Sequence, residues 1–204
     1  MINVSIVTNN SHPNSRAFNC PILASRNYSR DMGLKLHFHY SPSSAALSGD
    51  VLLINSNVFR SYWQTKKKGE IFRFLESAAK AKMKIIWFDT TDSTWCTQFE
   101  VLPYVHKFMK SQIFADKQTY LHKFRTGRIF TDFFDGIYHS GETETDYFIP
   151  QAQELAKVGI SWNTCFENYD ESRYGLKARL KQKLRPLTSA LFQSKLEILF
   201  TTTN

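Results

Sequence analysis

The sequence predicts an α/β domain built on an open parallel sheet, and three observations predict it. Short β-branched and apolar runs alternate with helix-spaced segments along the first ninety residues. Two of those runs, DVLLIN (50–55) and KIIWFD (84–89), are almost continuously apolar, as strands covered on both faces are. The intervals between runs suit right-handed crossovers between parallel neighbours.

Taken in order, INVSIVT (2–8) alternates around β-branched residues and predicts a first strand. The polar stretch NNSHPNSRA follows and reads as a loop. Asn19, Cys20 and Pro21 read as a helix start, with Pro tolerated in the first turn, and Gly33 as the stop after Met32. LKLHFHY (34–40) alternates strictly and predicts a second strand. DVLLIN is the third. Apolar residues at 71, 74, 75, 78 and 79 give GEIFRFLESAAKAK (69–82) helical spacing, and KIIWFD is the fourth strand. Beyond it, PYVHKFMK (103–110) reads as a further strand, FADKQTYLH (114–122) as a short helix, and GRIFTDFFDGIYH (127–139) as irregular and aromatic-rich. PQAQELAKVG (150–159) opens with Pro as a helix does and ends on Gly, and ISWNTCF reads as a strand-like return.

Composition narrows the class. At 204 residues and 42% hydrophobic, the chain has enough material for a core without disulfide or metal staples. Cys20, Cys96 and Cys165 are odd in number and widely spaced, which fits a reducing cytoplasm and offers no zinc pattern. No apolar run is long enough to span a bilayer, and the first residues do not read as a signal peptide. The net charge of +8 is uneven. Arg173, Lys177, Arg179, Lys181, Lys183 and Arg185 form a basic block without an acid, whereas Glu142–Glu171 is strongly acidic. Leu176, Leu180, Leu184, Leu187 and Leu191 recur through the basic block at helical spacing. The expectation is a domain over 1–172 and a basic amphipathic helical extension over 173–204. Such an extension suits a partner surface or peripheral contact with an anionic membrane at the inner face of the cell.

In open parallel sheets, ligands sit beyond the carboxyl ends of the strands. That singles out two loops. The first, residues 9–17, contains no glycine, so it lacks the close backbone approach that a dinucleotide pyrophosphate needs, and no cofactor is expected. It offers Asn9, Asn10 and Ser11 to a polar ligand and His12 as a base. The second, FDTTDSTWCTQFE (88–100), carries Asp89 at a strand end and Asp92 three residues on, among Thr90, Thr91, Ser93 and Thr94. A carboxylate there suits a general base or a ligand for sugar hydroxyls; the competing reading is loop and helix capping. His37 and His39 share a strand face without a third ligand, so no metal site is expected.

The segments DVLLINSNVFRSYW, IIWFDTTDST, VLPYVHKFMKSQIFADKQTY, GRIFTDFF and GISWNTCFENY, in that order, look like the N-terminal half of glycosyltransferase-like proteins of bacterial surface-polysaccharide pathways. The resemblance covers about residues 2–185. It implies the GT-B architecture, in which two Rossmann-like domains face a cleft, the first holding the acceptor and the second most of the nucleotide-sugar. The resemblance rests on the order of these segments and not on a catalytic signature; the position of the two loops makes Asp92, with Asp89 and His12 behind it, the expected base toward an acceptor hydroxyl. Asn9, Asn10, Ser93, Trp95 and Gln98 would position the sugar, and Lys110 and Arg128 would contact phosphate. The glycine-rich first loop of many GT-B enzymes is absent, and 204 residues cover one such domain and an extension. The expected partners are therefore a sugar acceptor, free or lipid-linked, and a nucleotide-sugar donor only where a second domain supplies its site. The alternatives are a non-catalytic partner module and, with no RNA- or DNA-binding motif in its favour, a nucleic-acid binder.

Overall fold

The computed structural model describes residues 1–63, 65–91, 94 and 98–162. It shows a six-stranded, all-parallel open sheet with flanking helices, a Rossmann-like α/β domain. The strands are β1 (Ile2–Val7), β2 (Leu34–His39), β3 (Val51–Asn55), β4 (Lys84–Asp89), β5 (Lys107–Lys110) and β6 (Val158–Ile160). Their spatial order is β2-β1-β3-β4-β5-β6. The chain leaves β1 toward one edge, returns past it to β3, and then grows toward the other edge. The switch point therefore lies between the carboxyl ends of β1 and β3.

Period-two alternation assigns the two faces of the sheet. Leu52 and Ile54 of β3, Ile85 and Trp87 of β4 and Phe108 of β5 face the larger core, which also holds Ile71, Leu75 and Ala78. These three come from the helix Lys68–Lys80, which the apolar spacing had placed at 69–82. Val4 and Ile6 of β1 and Phe88 of β4 form the opposite core with Phe18 and, at its margin, Trp162. The Phe18 and Trp162 rings stack at 5.2 Å between centroids. Two covered faces explain the unbroken apolar runs of β3 and β4.

Five segments differ from the sequence expectation. The first helix, α1, spans Pro13–Ala24 and begins inside the stretch expected to be a loop. Its start is set by Pro13 in the first turn and by His12, whose Nδ1 accepts the N–H of Asn14 at 3.2 Å. Pro21 thus lies within the helix. The chain breaks at Ser25 and resumes as α2 (Arg26–Asp31), ended by Gly33 at φ +77°. A 3₁₀ turn, Ser56–Phe59, leads into a single helical turn, α3 (Arg60–Trp63), ahead of α4, the helix Lys68–Lys80. The aromatic segment expected to be irregular is a helix, α5 (Ile129–Tyr138). The segments read as short helices near 114–122 and 150–159 are 3₁₀ turns, at Lys117–Leu121 and Ala152–Lys157. Of the boundary between a domain and a basic extension, residues 163–204 lie outside the described residues.

Candidate functional site

Parallel strands end together, so the polar residues that follow β1, β3, β4 and β5 gather on one edge. There they form two hydrogen-bonded networks. In the first, Thr8 donates to Asn19 Oδ1 at 2.8 Å and accepts from Asn55 Nδ2 at 3.1 Å. Thr90 Oγ1 donates to Asn55 Oδ1 at 2.8 Å and accepts from Asn57 Nδ2 at 2.8 Å. The Thr90 N–H donates to Ser56 Oγ at 3.1 Å, and Asn14 Nδ2 donates to the Thr90 carbonyl at 2.9 Å. The Thr90 bonds fix the turn after β4 to the end of β3 and to the first turn of α1, and the Thr8 bonds tie the end of β1 to β3 and to α1.

The second network is a buried ion pair. Asp89 and Lys110 are register partners on β4 and β5, and each is about 1% exposed or less. Lys110 Nζ donates to Asp89 Oδ2 at 3.0 Å, to Thr91 Oγ1 at 2.7 Å and to the Thr91 carbonyl at 3.3 Å. Asp89 Oδ1 accepts the N–H of Thr91 at 3.0 Å and its hydroxyl at 2.7 Å. A buried charge pair with this many supporting bonds holds a loop in place, because breaking any member strands the others away from water.

Above these networks opens a cleft of about 1060 Å³. His12, Asn14, Asn57, Thr90 and Thr91 line its sheet side, with Arg60 and Trp63 from α3. Its far wall is the arm that contains α5: Thr126, Arg128, Phe130, Phe134, Ser140, Tyr147 and Phe148. The Trp63 Nε1–H is buried and has no acceptor among the described residues. Tyr120 lines the floor and donates to the Thr94 carbonyl at 2.9 Å. Burial, reinforced by the Asp89 charge against the opposing effect of the Phe114 N–H, pushes its phenol up to about 12. It serves as a donor, not a base, at neutral pH.

The structure brings some of the expected site residues together and disperses others. His12, Gln98 and Arg128 all line the cleft. Because His12 Nδ1 accepts an N–H, the neutral ring carries its proton on Nε2 and is a hydrogen-bond donor there. Gln98 Oε1 accepts from Trp87 Nε1 at 3.1 Å, and the Arg128 guanidinium lies 5.9 Å above the Phe130 ring. Asp89 and Lys110 lie beneath the cleft, committed to each other. Asn9 and Asn10 accept from Asn19 Nδ2 through the Asn9 carbonyl, at 3.2 Å, and Asn10 Oδ1, at 2.8 Å. Asp92, Ser93 and Trp95 lie outside the described residues. The sequence reading passed over Asn57, Arg60 and Trp63. The signal for them was the polar INSN that follows the buried run of β3, the same strand-then-polar-turn pattern that singled out DTTD after β4.

Among the described residues, no group of three His, Cys, Asp or Glu is placed to hold a metal ion, and no helix is long and apolar enough to cross a membrane. The first turn of α1 has its early N–H groups engaged, by His12 Nδ1 for Asn14 and by the His12 carbonyl for Ser15 and Arg16, while Pro13 has none. That leaves little of the usual phosphate cradle at this position. The class defined by these features is an open parallel α/β domain with a broad cleft at the carboxyl edge of its sheet. No protein-family model, curated protein or solved structure matches the chain.

Proposed function

We propose that this domain binds a polyhydroxylated ligand in the edge cleft and is the acceptor half of a GT-B-like glycosyltransferase of cell-surface polysaccharide synthesis. The observation that carries the reading is the make-up of the cleft, in which the amides and hydroxyls of Asn14, Asn57, Thr91 and Ser140 stand beside the rings of Trp63, Phe130 and Phe134, with Arg60, Glu100, Arg128 and Glu142 as its charged groups. Sugars present alternating hydroxyls and apolar ring faces, and such a lining complements both. Asn14, Asn57, Thr91 and His12 supply donors and acceptors, and Phe130, Phe134 and Trp63 supply apolar faces. The sequence resemblance supports the same assignment. The general base on this reading is Asp92, in the loop that the Asp89–Lys110 pair anchors at its start, with Trp95 and Ser93 as sugar-positioning residues.

A donor nucleotide-sugar belongs to a second domain on this reading, since transfer needs both reactants oriented in a closed, dry cleft. The protein then works on the cytoplasmic side, where the basic segment 173–191 draws it to an anionic membrane surface. Calorimetric titration with a panel of methyl glycosides, alongside a nucleotide-sugar transfer assay, tests the reading. It expects saturable glycoside binding and no multiple-turnover transfer by the chain alone. Absence of glycoside binding, or transfer without an added partner, overturns it.

A further inference from the structure

We propose that the exposed face of α5 seats the hydrocarbon tail of an amphiphilic ligand whose polar, hydroxylated head occupies the cleft. The proposal rests on the carbohydrate reading of that cleft and adds the chemical class of the ligand.

Helix α5 is turned the opposite way from an ordinary surface helix. Its carboxylates point into the protein. Asp135 is 8% exposed and accepts from Arg125 Nη1 at 3.0 Å, Ser140 Oγ at 2.9 Å and the Gly141 N–H at 2.9 Å. Asp132 accepts the N–H groups of Arg125 at 2.6 Å and Thr126 at 2.8 Å, and the Thr126 hydroxyl. These bonds fix the rotation of the helix from both of its ends. The apolar residues consequently face outward: Phe130 is 49%, Phe133 62%, Phe134 50%, Ile137 51% and Tyr138 71% exposed. Their spacing of three, one, three and one makes a single continuous stripe. A stripe of this kind on a soluble domain marks an interaction site.

Continuity identifies the occupant. Phe130 and Phe134 form part of the cleft wall, and Phe133, Ile137 and Tyr138 carry the same stripe beyond the rim. One ligand can therefore keep its head among Asn57, Thr90 and Thr91 while its tail runs out along the helix. The local charge argues against a bilayer as the occupant. Residues 123–146 hold three bases and five acids, and of those bases Lys123 and Arg125 are paired, with Glu144 and Asp135. An anionic surface is thus repelled here rather than attracted.

The test uses the full chain and matched pairs of methyl and octyl glucoside, galactoside and mannoside, below their micelle concentrations, with binding followed by ligand-observed NMR. In at least one pair, the octyl member is expected to bind about tenfold more tightly or better, since each buried methylene adds to affinity. Phe133→Ser combined with Ile137→Ser, both beyond the cleft lining, is expected to erase most of that advantage and leave methyl glycoside binding unchanged. The wild-type comparison stands even if that variant does not fold. Methyl glycoside binding with no octyl advantage overturns the tail site while sparing the cleft reading. Failure of both series overturns both. An octyl advantage that survives the double substitution places the tail elsewhere. A wild-type dimer that the substitutions dissociate assigns the face to a second copy instead, and binding to sugar-free phosphatidylcholine vesicles assigns it to a bilayer; either result overturns the proposal.

Discussion

The end of β4 and the helix α5 stand on opposite walls of one cleft and solve opposite problems. At β4, charged and polar side chains are buried and each finds partners, so the turn Thr90–Thr91 is held from below by Asp89 and Lys110 and from the side by Asn55 and Asn57. At α5, polar side chains are also drawn inward, but the consequence is that six apolar residues, Ile129 included, are exposed. The first arrangement presets the position of hydrogen-bonding groups at the cleft. The second leaves apolar surface uncovered. On the proposed reading, the first wall recognises the hydroxyls of a ligand and the second its apolar part.

The contrast breaks most visibly at the buried ion pair. Lys110→Met leaves the Asp89 carboxylate buried without its counter-charge and is expected to cost about 3–5 kcal/mol in urea unfolding. Combining it with Asp89→Asn removes the stranded charge and is expected to recover much of the loss. A single substitution costing under about 1 kcal/mol means the pair does not anchor the edge. Next in size is Thr90→Val, which deprives Asn55 Oδ1 and Asn57 Nδ2 of a partner within a buried network. About 1–3 kcal/mol of stability is expected to go with it, together with any glycoside affinity of the cleft.

Acid titration acts on the other wall. At Asp135, the Ser140 hydroxyl is the largest influence, and with the N–H groups of Glu142 and Gly141 and the Arg125 charge it holds the carboxyl below its ordinary range against some desolvation. At Asp132, desolvation pushes upward, but the Thr126 hydroxyl and the N–H groups of Thr126 and Arg125 outweigh it, and the carboxyl again ends low. Groups lowered by folding stabilise above their unfolded pKa, and the contribution disappears as pH falls through the folded value. The NMR helical shifts of residues 129–138 are therefore expected to be lost as pH falls below about 4, ahead of the sheet. Smallest of all, Phe133→Ser is expected to leave global stability within about 0.5 kcal/mol, because the ring is already in water. A larger loss indicates that the face is covered.

The same division explains what the sequence disclosed. Strands β3 and β4 were legible because burial on both faces demands an unbroken apolar run. Helix α4 was legible because its single apolar face repeats at 71, 74, 75 and 78. The start of α1 was hidden by an unusual cap, an imidazole in the place of the usual short hydroxyl or carboxyl side chain. Helix α5 was hidden by composition: four aromatic residues and Gly136 in ten positions are weak helix formers. What holds it is the pair of aspartates bonded to the adjoining loops within ten residues, side-chain bonds that apolar periodicity does not encode. At the site, DTTD stood out by its carboxylates, whereas INSN is neutral and drew no notice, although both follow buried strands to the same edge.

The central claim is that the carboxyl-edge cleft recognises a hydroxylated ligand through preset amides. Side-chain amide NMR of Asn14 and Asn57 during titration with methyl glucoside, galactoside and mannoside tests it most directly. The account predicts saturable shifts of both amides with at least one glycoside, while the side-chain amide of Asn3, at the opposite end of β1, stays fixed. Shifts confined to residues away from the cleft, or no shift with any glycoside, contradict it.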